Sequence, residues 1–244
     1  MHGYLSQNDH FIMMNKILEK SASRINSIEL MSFLKTKSEH EISFSGTTRG
    51  LCVGIVDIVN STSITSKLTN GKMCEYYSVF LNAMSKIVKT YGAVVIKNIG
   101  DCLLYYFPQT VDGIEKQAFS DVLDCSLEMI RCRCAINQVM SECKLPTLDF
   151  RVSADYGPVS IASSSRSETE DLFGPTVNLC SKINGAARPN SFIIGGDLHQ
   201  IVRHFNQYDF GVIGECMLGL KLNYPAYSVS IRNPHTDYSR TGST

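Results

Sequence analysis

Hydrophobic and polar positions along the chain follow two periods, and these periods divide it into elements. "LCVGIVDIV" (51–59) is a nearly continuous β-branched run whose single charge, Asp57, comes near its end. Such a run predicts a strand buried on both faces. From Lys72 to Tyr91, apolar residues at 73, 77, 80, 81, 84, 87, 88 and 91 mark one helical face, and Gly92 stops it. "AVVIKNI" and "DCLLYYF" read as two strands joined by a turn around Asn98–Gly100. A second long helix is predicted over 112–143, with Ala118, Val122, Leu123, Leu127, Ile130 and Cys134 on one side.

"LDFRVSADYGPVSIAS" reads as a strand, a Gly-Pro turn and a second strand, and Ser-rich "SSSRSETE" as a loop. "GPTVNLCSKINGAA" reads as a helix with Pro175 in its first turn and Gly185 near its stop. "SFIIGG" is a predicted strand and "DLHQIVRHF" a short helix carrying His199 and His204, read as surface or packing residues. Strands near 208–218 and 226–232 follow. At the other end, Phe11, Met14, Leu18, Ile25 and Ile28 predict a helix over 10–37, either packed on its own domain or forming a weak coiled-coil seam. Polar "KTKSEHEISFSGTTRG" then reads as a linker. The expected organisation is an N-terminal helix and linker (1–45), one main domain (46–233) and a flexible tail (234–244).

Composition narrows the function. Lys plus Arg (23) balance Asp plus Glu (23), so the chain lacks the basic footprint of a nucleic-acid binder, and any phosphate binding rests on local charge. No apolar run reaches the roughly 18 residues of a membrane span. The nine cysteines include no CxxC pair, and the polar start "MHGYLSQNDH" is unlike a secretory leader. They read as reduced, buried thiols in a cytoplasmic protein.

The central order strand, helix, strand, strand, helix, strand is that of a ferredoxin-like α/β (α+β) sandwich, here with additional C-terminal strands. In that topology the first strand lies antiparallel to the third, so Asp57, ending one, and Asp101, beginning the other, converge at one edge. Paired carboxylates repel, and a shared proton or a divalent cation relieves them. Oxygen ligands without His or Cys suit Mg²⁺ or Mn²⁺. The Val59–Ser63 backbone enters a helix whose first N–H groups attract phosphate. These residues leave two readings open: a metal-nucleotide corner, or an Asp capping a helix and an Asp in a turn.

"CVGIVDIVNST", "VIKNIGDCLLYYF", "RVSADYGPV", "EDLFGPTVNLCSKIN" and "FIIGGDLHQIV", in that order, resemble the class III nucleotidyl cyclase catalytic domain, over about Gly50 to Ile231. The resemblance implies a head-to-tail homodimer that converts ATP to 3′,5′-cyclic AMP and pyrophosphate with two divalent cations, Mg²⁺ or Mn²⁺. It makes Asp57, Asp101 and the Ile58 carbonyl metal ligands, and the amides of Asn60, Ser61, Thr62 and Ser63 a phosphate cradle. Lys97 and Asp171 fall on the base-reading pair, Asn178 on the ribose-orienting residue, and Lys182 where the family usually has arginine. Lys221, in "LGLKLNYPAYSV", falls on a lysine that touches the terminal phosphates. The metal aspartates would come from one subunit and the remaining set from its partner. A lysine donor with an aspartate acceptor complements N1 and N6 of adenine, whereas a guanine-reading site is expected to carry Glu and a small residue such as Cys.

Lysine at 182 keeps the charge but not the planar fork of arginine, so a slow or metal-selective cyclase is expected. The alternatives are a catalytically inactive, ATP-binding regulatory dimer and, more remotely, a cyclic-dinucleotide synthase, which Cys102 disfavours by standing where an acid is needed. Arg151 reads as one half of a structural ion pair. The absence of a sensor domain points to regulation by a separate partner or to none.

Overall fold

The computed structural model describes residues 27–36, 42–164, 167–217 and 223–232. The chain divides into a unit of residues 1–43 and a larger unit of residues 44–244. In the first, α1 (Ser27–Lys35) has no buried residue; the rest of the helix expected over 10–37 lies mostly outside the described residues, as do the expected tail and Lys221.

The larger unit is built on an eight-stranded sheet. Its first strand, β1 (Ile42–Ile58), continues through α2 (Ser61–Thr65) and α3 (Asn70–Thr90) to β2 (Val94–Ile99) and β3 (Cys102–Phe107). A 3₁₀ turn (Pro108–Gly113), α4 (Lys116–Arg131) and α5 (Arg133–Glu142) lead to β4 (Phe150–Ser164) and β5 (Ser167–Phe173). Then come α6 (Pro175–Ala186), β6 (Ser191–Gly195), α7 (Gly196–Val202), β7 (Tyr208–Met217) and β8 (Asn223–Ile231). The strand order is β2-β3-β1-β4-β6-β8-β7, with β5 paired to β4 beside this path. The β2-β3-β1-β4 half is the ferredoxin-like core, and β6, β8 and β7 extend it.

The continuous apolar run of β1 is explained by burial on both faces. Cys52, Val56 and Ile58 join the main core with Tyr76, Phe80, Met84 and Val88, the i, i+4 stripe of α3. Leu51, Val53 and Ile55 point the other way, into a smaller cluster with Leu172 and Cys180. Each such side chain contributes about 1.5–3 kcal/mol when removed from water. Gly54 faces Tyr105 across the ladder, and a Cβ there would meet the Tyr105 ring at 2.3 Å, so only glycine fits.

Four expectations are corrected. The linker reading of 35–50 fails at its C-terminal end, because β1 begins at Ile42 and its first half lies along the distal half of β4, with Thr48 Oγ1 3.1 Å from Ser160 Oγ. The helix over 112–143 is two helices. It starts late because Thr110 stabilises the preceding 3₁₀ turn, accepting from the Cys52 amide at 2.8 Å and donating to the Phe107 carbonyl at 2.7 Å; it breaks at Cys132. There is no Gly-Pro turn: β4 runs straight through Gly157 and Pro158. Pro158 lies where β4 changes neighbour, after its pairing with β6 ends at Ala154 and before its pairing with β5 begins at Ser160, so its missing N–H breaks no rung on that side. The loop expected over 163–170 is partly β5, a polar strand that forms because β4 offers it a ladder.

Cysteine burial is also mixed: Cys52, Cys125 and Cys180 are buried, but Cys74 and Cys134 are exposed, and all described cysteines are free thiols. His199 packs as expected, its ring stacked on Tyr227 at 3.6 Å. Among the described residues no helix is long and apolar enough to cross a membrane.

Asp155 is a fully buried carboxyl on β4. Tyr224 Oη donates to it at 2.8 Å, and the amides of Tyr156 and Leu198 donate at 2.9 and 3.3 Å. Burial outweighs these bonds and pushes its pKa up to about 6. A raised folded-state pKa gives stability that is fully present below the unfolded value and is lost as pH rises through the folded one. The group should therefore cost about 3 kcal/mol between about pH 4 and pH 6. Denaturant titrations should show Asp155→Asn losing this part of the pH dependence, so that its stability relative to wild type improves over that interval. A constant difference would refute the assignment.

Candidate active site

Strand order brings the two acids together. In the antiparallel β1/β3 ladder Asp57 stands opposite Cys102, and Asp101 immediately precedes β3, after Gly100 in the left-handed region at φ 63°. Burial, and next the Asp101 carboxylate, raise the Asp57 pKa; Arg151 opposes both. Arg151 Nη2 donates to Asp57 Oδ2 at 3.1 Å and Nη1 to the Gly185 carbonyl at 3.3 Å, while its buried Nε has no hydrogen-bond partner among the described residues. Arg151 thus makes the expected ion pair, and its partner is the candidate metal ligand itself. The sequence signal lies in register: β4 runs antiparallel to β1, with the Val59 amide bonded to the Asp149 carbonyl at 2.8 Å, so residues just after 149 face the carboxylate end of β1.

A pocket of about 270 Å³ opens at this corner, lined by Ile55, Asp57, Ile99, Cys102, Arg151 and Asn184, among others. Asn184 Nδ2 donates to the carbonyls of Ile55 and Arg151, both at 3.3 Å, fastening α6 to β1 and β4. The Cys102 thiol is pushed up to about 12 by burial and by Asp57 and Asp101, so it stays protonated. Beyond Ile58, Asn60 adopts φ 58° and ψ 28° and turns the chain into α2. Ser61 is buried; Thr62 and Ser63 are exposed.

Lys97 and Asp171 also meet, in an ion pair with Lys97 Nζ donating to Asp171 Oδ2, while Asp171 Oδ1 accepts from the Leu172 amide at 2.9 Å. A register shift in β2 between Val95 and Lys97 re-aims the lysine toward β5. Asn178 and Lys182 lie one turn apart on the exposed side of α6, opposite buried Thr176, Cys180, Ile183 and Asn184. Among the described residues no hydrogen bond or ion pair joins the Asp57–Asp101 corner to the Lys97–Asp171 pair.

The donor set suits a hard cation. Two like-charged carboxylates share one corner, Arg151 only partly offsets them, and the neighbouring thiol holds its proton. Among the described residues no group of three or more His, Cys, Asp or Glu forms a self-sufficient metal cage. An ion here would therefore complete its shell with carbonyl, water or substrate oxygens.

Similar solved structures share this architecture. The adenylyl cyclase CyaB from P. aeruginosa superposes with a TM-score of 0.70 at 19% identity, covering 77% of this chain and 97% of that one. The guanylyl cyclase Cya2 gives 0.70 at 17% identity, covering 78% and 97%. The catalytic core of a rhodopsin-guanylyl cyclase with converted specificity, in complex with ATPαS, gives 0.64 at 18%, covering 79% and 100%. No curated protein sequence matches the chain. The family model of the adenylate and guanylate cyclase catalytic domain matches residues 45–230. With the strand order and acid corner already described, that match makes this chain a member of the class III nucleotidyl cyclase catalytic domain family.

Proposed function

We propose that the protein is a cytoplasmic adenylate cyclase acting as a homodimer, forming 3′,5′-cyclic AMP and pyrophosphate from ATP. The observation that carries the ATP reading is the Lys97–Asp171 ion pair, a donor and an acceptor held side by side. The lysine ammonium donates to adenine N1 and the carboxylate accepts from the N6 amino group. Asp57, Asp101 and the Ile58 carbonyl would hold two divalent ions, Mg²⁺ or Mn²⁺. When bound, such ions act as Lewis acids on the ribose 3′-oxygen and the leaving phosphates.

The chain's own residues bind and orient. Amides from Asn60 to Ser63 receive phosphate oxygens, Asn178 fixes the ribose, and Lys182 sets a positive charge by the α-phosphorus. Lys221 reaches the terminal phosphates. A bond forms from O3′ to the α-phosphorus as the bond to the β-phosphate oxygen breaks; the hydroxyl proton passes to solvent and pyrophosphate departs.

The test is purified protein incubated with ATP or GTP and either metal, then chromatography for cyclic product. Cyclic AMP is expected, with GTP turned over poorly. Lysine in place of arginine at 182 motivates a second reading, a regulatory dimer that binds ATP without cyclising it. Bound nucleotide with neither cyclic product nor pyrophosphate would establish that reading instead.

The base-reading role has its own check. Lys97→Glu with Asp171→Cys offers an acceptor to guanine N1–H and a donor to O6. The ratio of kcat/KM for GTP over ATP should rise by about a hundredfold, since a site built to hydrogen-bond one edge rejects its mismatch strongly. An unchanged ratio would remove these residues from base selection.

A further inference from the structure

The chain leaves β1 through a single rung, the Val59 amide bonded to the Asp149 carbonyl at 2.8 Å. The next residue, Asn60, is in the left-handed region, and after it the backbone turns into α2. Where the turn faces thus depends on where Asp149 is held. Asp149 is pinned three times through one carboxylate oxygen: by Arg133 Nη2 at 2.7 Å, Arg133 Nε at 3.1 Å and Asn190 Nδ2 at 2.8 Å. These bonds, Asn190 first, lower its pKa despite some burial. The break at Cys132 puts Arg133 at the start of α5, from where it reaches Asp149.

Asn190 does more than donate to Asp149. Its own amide donates to the Phe150 carbonyl at 2.7 Å, and its Oδ1 accepts from the Phe150 amide at 3.3 Å. One residue therefore satisfies both backbone groups of Phe150 and the Asp149 side chain. It does so at φ 59°, a conformation asparagine tolerates far better than most residues. Directly beyond it, β6 pairs with β4, Ser191 with Arg151, and Arg151 holds Asp57. The clip thus fixes the two structures flanking the pocket, the end of β1 and the turn that follows.

We propose that Asn190, acting through Asp149, is a positioning residue that sets the orientation of the Asp57 carboxylate and the 60–63 turn. Its consequence for metal and phosphate rests on the cyclase reading above; the mechanical claim does not. Asparagine in the loop "ARPNS" supplies what a strand residue cannot, a left-handed backbone together with an amide that donates and accepts.

Asn190→Gly is the informative variant, because glycine keeps the backbone conformation and removes only the amide. Asn137→Ala is the control: it deletes a comparable two-way side-chain clip, on Leu148 at 3.0 and 2.8 Å, in the same segment but off Asp149. In the full chain, hydrogen exchange of the peptide covering Val59 should run about tenfold faster in Asn190→Gly than in Asn137→Ala, the loss of roughly one buried hydrogen bond. Half-saturation by Mn²⁺ alone, followed by water-proton relaxation, should rise about tenfold in Asn190→Gly only.

Exchange at Val59 no faster than in the control, at matched thermal stability, would overturn the proposal. Should the glycine variant not fold, Asn190→Asp keeps the size and backbone tolerance while setting a second carboxylate against Asp149, and the same comparison decides. Wild-type protein that neither binds Mn²⁺ nor cyclises nucleotide would refute the cyclase reading, and the exchange result would still judge the clip.

Discussion

Asp57→Asn should abolish cyclic nucleotide formation, lowering kcat by about 10³ or more, while the protein stays folded. The loss is large because Asp57 is one of only two acids at the corner, and an amide cannot replace its charge toward a cation. Folding should survive because the introduced amide keeps an oxygen for Arg151, whose Nη2 bonds Asp57 at 3.1 Å, and the change also removes the repulsion from Asp101. Product chromatography and a thermal melt measure the two parts. A folded variant with near wild-type turnover would sink the assignment of Asp57 as a metal ligand.

Mixing two dead variants should restore activity. Asp57→Ala lacks the acid corner and Asn178→Ala the ribose contact, so each homodimer has two broken sites. In a heterodimer both lesions fall in one site and the other is intact. Random exchange makes half the dimers mixed, so activity should return to about a quarter of wild type. The structural motive is that no described hydrogen bond or ion pair joins the acid corner to the Lys97–Asp171 pair within one chain. Heterodimers verified by differential tags yet still inactive would show that one chain supplies its own complete site.

The parts of the fold legible in the sequence are those whose cause is local. The run 51–59 and the stripe through Tyr76, Phe80, Met84 and Val88 carry their burial in their spacing. β5 does not: "SETEDLF" is polar and becomes a strand only because β4 provides an edge. The straight passage of β4 through Gly157 and Pro158 was hidden for a similar reason, since it depends on which neighbours pair on either side.

The site divides the same way. Convergence of Asp57 and Asp101 follows from element order alone. The Lys97–Asp171 pair was reached through family resemblance, because nothing in "VIKNIG" announces the bulge that turns the lysine toward β5. Arg151 was read as an ion-pair former without its partner, which only the β1/β4 register supplies. Asn190 gave no signal, being one polar residue in a loop until its bonds to Asp149 and Phe150 are seen.

The Lys97–Asp171 contact is already made before any nucleotide arrives, between side chains 42% and 33% exposed. A bridge this wet is worth about 0–1 kcal/mol, so it acts as a weak latch and not as a lock. An incoming purine need only slip between two groups that hold each other loosely. Selectivity then comes from what the purine edge offers in return, and a base with the wrong edge leaves the latch closed behind it.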